Sequence, residues 1–223
     1  MRSLPSPCHP QRVNPLALAF SLVLGCSAIL AAMLVGRARP SSRDYLRFAA
    51  ALYLALSLCA GLAAIVSGPA MLGFSIAVTQ VVCALAPVAL GFALFATFEH
   101  PPAPWTAAIA LVLACCAGIV AAAAGRPVLS LAPSSLSALA MLALCLRRWR
   151  VDKRSASHAF LSVCSLGCAA AASFAAGDGA RIALTLFSAA ALLGFALALA
   201  RRSDGAVVDE RDLRIAVAVG EKR

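Results

Sequence analysis

The residues of this chain that can do acid–base, covalent or metal chemistry are few, and their positions limit them further. The three histidines, His9, His100 and His158, all fall at or outside the ends of long apolar runs. That removes the intramembrane histidine pair that would ligate a haem. The two lysines, Lys153 and Lys222, lie outside the runs as well, so no span offers an amine for a retinal Schiff base. No run carries an acid that would relay a proton. Glu99, His100 and His158 are the one grouping with acid–base potential, and they sit on two loops whose mutual distance the sequence leaves open. Of nine cysteines only Cys8 lies outside the apolar runs; the others, Cys26 to Cys168, sit where a thiol behaves as a small hydrophobe. A disulfide framework is not expected. Cys164 and Cys168, one helical turn apart, are two soft ligands without a third, and Cys115-Cys116 lacks the CxxC spacing, so packing is the expected role of both pairs. No catalytic residue, cofactor or metal is expected.

Neutral polar residues inside the runs are better organised. Ser75, Thr79 and Cys83 recur every four residues, and the row continues to Pro87 and Gly91, with Gln80 beside it. Ser130, Ser134 and Ser137 repeat the pattern near Pro133. Two roles fit such stripes. One is a midplane cavity lined by Ser75, Thr79, Gln80 and Ser134 and opened by a proline kink. The other is a helix–helix contact face, where small side chains admit a neighbour and hydroxyls bond locally. Ser21/Gly25, Ser57/Gly61 and Ala190/Gly194 are small-xxx-small pairs of the same packing type.

The elements that must carry these residues are membrane spans. Of 223 residues 62% are hydrophobic and 13% charged, where a soluble domain of this length is closer to half apolar and a quarter charged. The sequence predicts an all-α integral membrane protein, a polytopic bundle of about seven helices over residues 16–200. The expected spans are 16–36, 48–67, 71–98, 105–124, 128–146, 159–176 and 182–200. Residues 1–15 are expected to be a disordered leader, and 201–223 a charged cytoplasmic tail. Val23-Leu24-Gly25-Cys26 resembles a loose lipoprotein cleavage box, but the apolar run continues ten residues past Cys26, which favours a retained span. In the tail, Leu213, Ile215, Val217 and Val219 alternate with other residues in a strand-like period, yet a single strand is not stable alone, so disorder or pairing with a partner is expected.

Charge then sets direction. Arg37, Arg39, Arg43 and Arg47 flank the first connection, and Arg147, Arg148, Arg150, Lys153 and Arg154 the fifth. With the amino terminus outside and the carboxyl terminus inside, 15 basic residues face the cytoplasm and 4 face out. Residues 99–104, with no cation, are the weak point of that count. The net charge of +10 sits at run ends and forms no basic face, so contact with anionic lipid head groups is expected and nucleic acid is not. Arginine and alanine abundance suggests GC-rich coding and hence a bacterial inner membrane. The favoured expectation is a non-catalytic accessory, assembly or sensory subunit that binds a partner through helices or through residues 203–223. The alternative is a carrier or pore for a small neutral solute, since two basic connections permit a three-plus-one-plus-three layout of parallel halves. The Pro-Gln motif of small sugar carriers is missing from the spans, because Pro10-Gln11 lies in the leader.

Overall fold

The structure, a computed structural model, describes residues 15–37, 40–66, 69–99, 101–172, 179–180 and 182–200. Of the expected leader all but Pro15, which opens the first helix, lies outside the described residues, as do the tail with its alternating segment, Arg39 and His100. The described residues form an all-helical bundle. Helices α1 (Pro15–Leu34, prolonged by a short 3-10 turn Val35–Arg37), α2 (Pro40–Ile65), α3 (Pro69–Phe98), α4 (Pro104–Ala124), α5 (Val128–Arg148) and α6 (Lys153–Ala172) follow one another. A last helix, α7 (Ile182–Ala200), completes the seven that are long and apolar enough to cross a bilayer among the described residues. Four of them begin on a proline, Pro15, Pro40, Pro69 and Pro104, whose fixed φ suits the first helical position and whose missing N–H is no loss there. α4 stops at Gly125, which takes the left-handed conformation (φ 62°) and returns its N–H to the last carbonyls.

The helix ends depart from the sequence reading in the basic connections. α2 starts eight residues before the expected Phe48, α5 runs on through Arg147 and Arg148, and α6 starts at Lys153 rather than Ala159; the expected end of that span at Ala176 lies outside the described residues. Hydropathy marks where hydrocarbon ends, whereas helix continues into the head-group region wherever a cap is available. Asp152 supplies one: its Oδ1 accepts from the backbone N–H of Ser155 at 3.1 Å.

Several contacts place both basic connections at one end of the bundle. Tyr45, near the start of α2, meets Phe92, near the end of α3, with ring centroids 5.6 Å apart. Arg148, at the end of α5, donates from Nη2 to the Phe98 carbonyl at the end of α3, 2.5 Å away. Gly194, near the end of α7, lies against Ser162 and the His158 carbonyl near the start of α6. This basic end is also the tightly packed one. α2 has no buried residue after Ser57, α3 none before Val82 and α7 none before Ser188, among those described. Ala49, Leu90, Leu94, Leu192 and Phe195 are fully buried in the main core at the basic half, while the opposite halves of these three helices are more open.

α1 and α2 form an antiparallel pair in which the two small-xxx-small motifs interlock. Ser57 packs on Gly25 and Ser21 on Gly61, and Ser57 Oγ donates to the Ser21 carbonyl at 2.6 Å. α4 approaches α3 closely at Gly118, where an added Cβ would stand 2.7 Å from the Val81 Cα.

Candidate functional site

The two polar stripes meet. Ser130, Ser134 and Ser137 lie on one face of α5, and the same four-then-three spacing carries that face on through Met141, Leu144 and Arg148. Opposite them on α3 lie Gln80, Cys83, Pro87 and Gly91. Ser130 Oγ is 2.5 Å from Gln80 Oε1, Ser134 Oγ donates to the Cys83 carbonyl at 2.6 Å, and Ser137 Oγ donates to the Pro87 carbonyl at 2.8 Å. With the Arg148–Phe98 bond, the partners are separated by 50, 51, 50 and 50 residues. An offset that stays constant along both chains means that α3 and α5 run parallel, with α4 as the return.

The middle contact has a specific cause. Pro87 has no N–H, so within α3 the carbonyl four residues earlier, that of Cys83, loses its helical donor. An unsatisfied carbonyl is costly in hydrocarbon, and a donor from a neighbouring helix recovers about 1 kcal/mol of that cost. Ser134 is the replacement donor, delivered by a different helix. One turn on, an added Cβ at Gly91 would stand 2.5 Å from Ser137 Oγ, so glycine there is what lets Ser137 reach the Pro87 carbonyl. The proline, the glycine and two serines thus make one unit.

The residues expected to line a cavity divide along this seam. Ser134 is buried at 8% exposure and holds the Cys83 carbonyl, while Gln80, half-buried, meets Ser130. Thr79 Oγ1 donates back to the Ser75 carbonyl at 2.8 Å within α3, and both are half-buried in its open half.

At the basic end the loop without a cation is supplied with two from α5. Arg147 Nη1 lies 3.5 Å and Arg148 Nη2 3.3 Å from Glu99 Oε1. Arg148 is largely enclosed, with 27% of its side chain exposed, against 76% for Arg147. Its simultaneous bond to the Phe98 carbonyl also places a cation where the α3 dipole favours one. In the first basic connection Arg43 Nη2 bonds the Gly36 carbonyl at 2.9 Å in the same manner, after the short turn that ends at Arg37. Arg47, Arg150, Lys153 and Arg154 are exposed. Glu99 is thus engaged by arginines, and His158 is half-buried on α6 with its carbonyl accepting from Ser162 Oγ at 2.7 Å. Among the described residues the eight cysteines are free thiols, and no three metal-ligating side chains gather.

The arginine clamp and the parallel register are what the sequence reading missed. The signal was present in the equal 50-residue spacing of Gln80 to Ser130 and Phe98 to Arg148, but it has meaning only once α4 is known to return between them. Together, seven spans, two basic connections at one end and polar groups satisfied between helices define the class as a multi-pass helical membrane protein. No protein-family model, curated protein or solved structure matches the chain.

Proposed function

We propose that the protein is a non-catalytic membrane subunit that acts by contact, in an accessory, assembly or sensory role. The observation that carries this reading is that the serine hydroxyls of the α3–α5 seam bond to neighbouring helix groups and are not presented to a reacting molecule. A chain built this way holds a fixed shape and offers its surfaces and its tail. The membrane of this reading is a bacterial inner membrane, with the basic end in the cytoplasm and residues 203–223 free to add a strand or a charged segment to a partner. Removing residues 203–223 is expected to leave insertion and thermal stability unchanged and to abolish co-purification of that partner. Full retention of every partner by the truncated chain would overturn the tail's role.

A second reading, a carrier for a small neutral solute, is favoured by the open half of α3. There Ser75, Thr79 and Gln80 are half-buried, and the buried Ser134 lies beyond them toward the basic end. Such a solute would enter from the less packed end and meet neutral hydroxyl and amide groups. Flux into proteoliposomes tests it: a Thr79→Val, Gln80→Leu double variant should lose transport, and equal flux would remove this lining.

A further inference from the structure

The turn between α5 and α6 joins two chemistries that a water-facing loop does not need together. Arg147 and Arg148 share one carboxylate, that of Glu99, so the pairing leaves positive charge in excess. Arg150, Lys153 and Arg154 follow and are exposed. Lys153 and Arg154 stand in the first turn of α6, directly after its N-cap Asp152, whose Oδ1 accepts from the Ser155 N–H, so the three exposed cations of the turn outnumber its single carboxylate. Between these cations Val151 is 76% and Trp149 38% exposed, and Trp149 is held edge-on by Phe160 at a centroid distance of 6.0 Å. A fixed, half-exposed indole and a bare valine among cations match the head-group layer, where an aromatic ring sits at the glycerol level beside phosphate.

We propose that this turn is a binding site for the phosphate head group of an anionic phospholipid. Arg150, Lys153 and Arg154 take the phosphate oxygens, while Trp149 and Val151 enter the interface beside the acyl chains. A soluble phosphate would satisfy the cations equally well but would leave Trp149 and Val151 uncovered, which is why the lipid is the occupant. The site goes beyond the proposed function, since it holds for a contact subunit and a carrier alike.

Native mass spectrometry of the full chain from mixed micelles of phosphatidylglycerol and phosphatidylcholine tests the site. The unchanged protein is expected to retain phosphatidylglycerol preferentially. An Arg150→Gln, Lys153→Gln, Arg154→Gln variant should lose that preference by on the order of a hundredfold, at about fivefold per cation near an anionic surface. Arg126→Gln, at the opposite end of the bundle, should keep it. Equal melting of all three proteins in phosphatidylcholine alone shows that folding is intact, and Trp149 fluorescence in a Trp105→Phe background should be quenched more by brominated phosphatidylglycerol than by brominated phosphatidylcholine. An unchanged preference in the triple variant, an equal loss in Arg126→Gln, or displacement of the lipid by inorganic phosphate would each overturn the proposal.

Discussion

Ser134 Oγ stands 2.6 Å from the Cys83 carbonyl that Pro87 leaves without its helical donor and 3.0 Å from the Ser130 carbonyl of its own helix, and its dependence on Pro87 can be measured. Ser134→Ala strands the Cys83 carbonyl and should cost about 1 kcal/mol, within the range for interhelical hydrogen bonds in lipid. In a Pro87→Ala background the helix regains the N–H that reaches this carbonyl, so the same serine change should cost close to nothing. Unfolding of the four proteins in detergent gives the cycle, and equal losses in both backgrounds would refute the pairing. Arg147 and Arg148 make a second contrast between neighbours. Arg148→Ala removes an enclosed partner of Glu99 and a cap on α3, for a loss of roughly 1–3 kcal/mol, while Arg147→Ala, at an exposed position, should stay within about 0.5 kcal/mol. Melting of the two single variants separates them. At this scale the sequence disclosed the polar stripes, because a four-residue recurrence of Ser75, Thr79, Cys83, Pro87 and Gly91 survives without structure. It did not disclose which carbonyl each hydroxyl serves, since those acceptors are some fifty residues away and carry no side-chain signature.

Among the elements, the decisive arrangement is the parallel pair α3 and α5. In a chain without native thiols, Leu94→Cys with Leu144→Cys keeps the 50-residue offset and should form a disulfide on oxidation, since both positions belong to the same buried core. Leu94→Cys with Ser137→Cys departs from that offset by a full heptad, about 10 Å along the axis, and should stay reduced. Crosslinking of the second pair and not the first would mean a different register. Helix number and type were legible because each apolar run is long enough to span and is bounded by prolines, glycines or cations. Helix ends in the basic connections were not, because a cationic turn is equally at home in helix or loop. The interlocked Ser21/Gly25 and Ser57/Gly61 pairs were visible as motifs, but in so alanine-rich a chain only the structure distinguishes them from chance.

For the whole molecule the governing quantity is sidedness. The two basic connections lie at one end, as the charge count required, and the cation-free segment after Phe98 lies there too, neutralised by arginines from α5. Impermeant thiol labelling in intact cells, with single cysteines in a thiol-free chain, should leave positions 150 and 220 unmodified and modify positions 3 and 68. Labelling at 150 or 220 before lysis would invert the bundle. The unequal packing along the axis was not legible, because it depends on which faces meet rather than on which residues are apolar. It gives a further expectation: amides in α3 before Val82 should exchange with solvent deuterium faster than those from Val82 to Phe98.

The proline in α3 also fixes an order of events during synthesis. When α3 leaves the ribosome, Ser134 has not yet been made, and the Cys83 carbonyl has no donor within its own helix. The intervening chain takes roughly 3–10 s to translate at usual rates of elongation. For that interval α3 is a poor tenant of the lipid, better kept beside the insertion machinery, where water can reach the broken turn. Arrival of α5 supplies the donor and brings Arg148 to the end of α3, so release of the first three helices into the bilayer is expected to wait for the fifth.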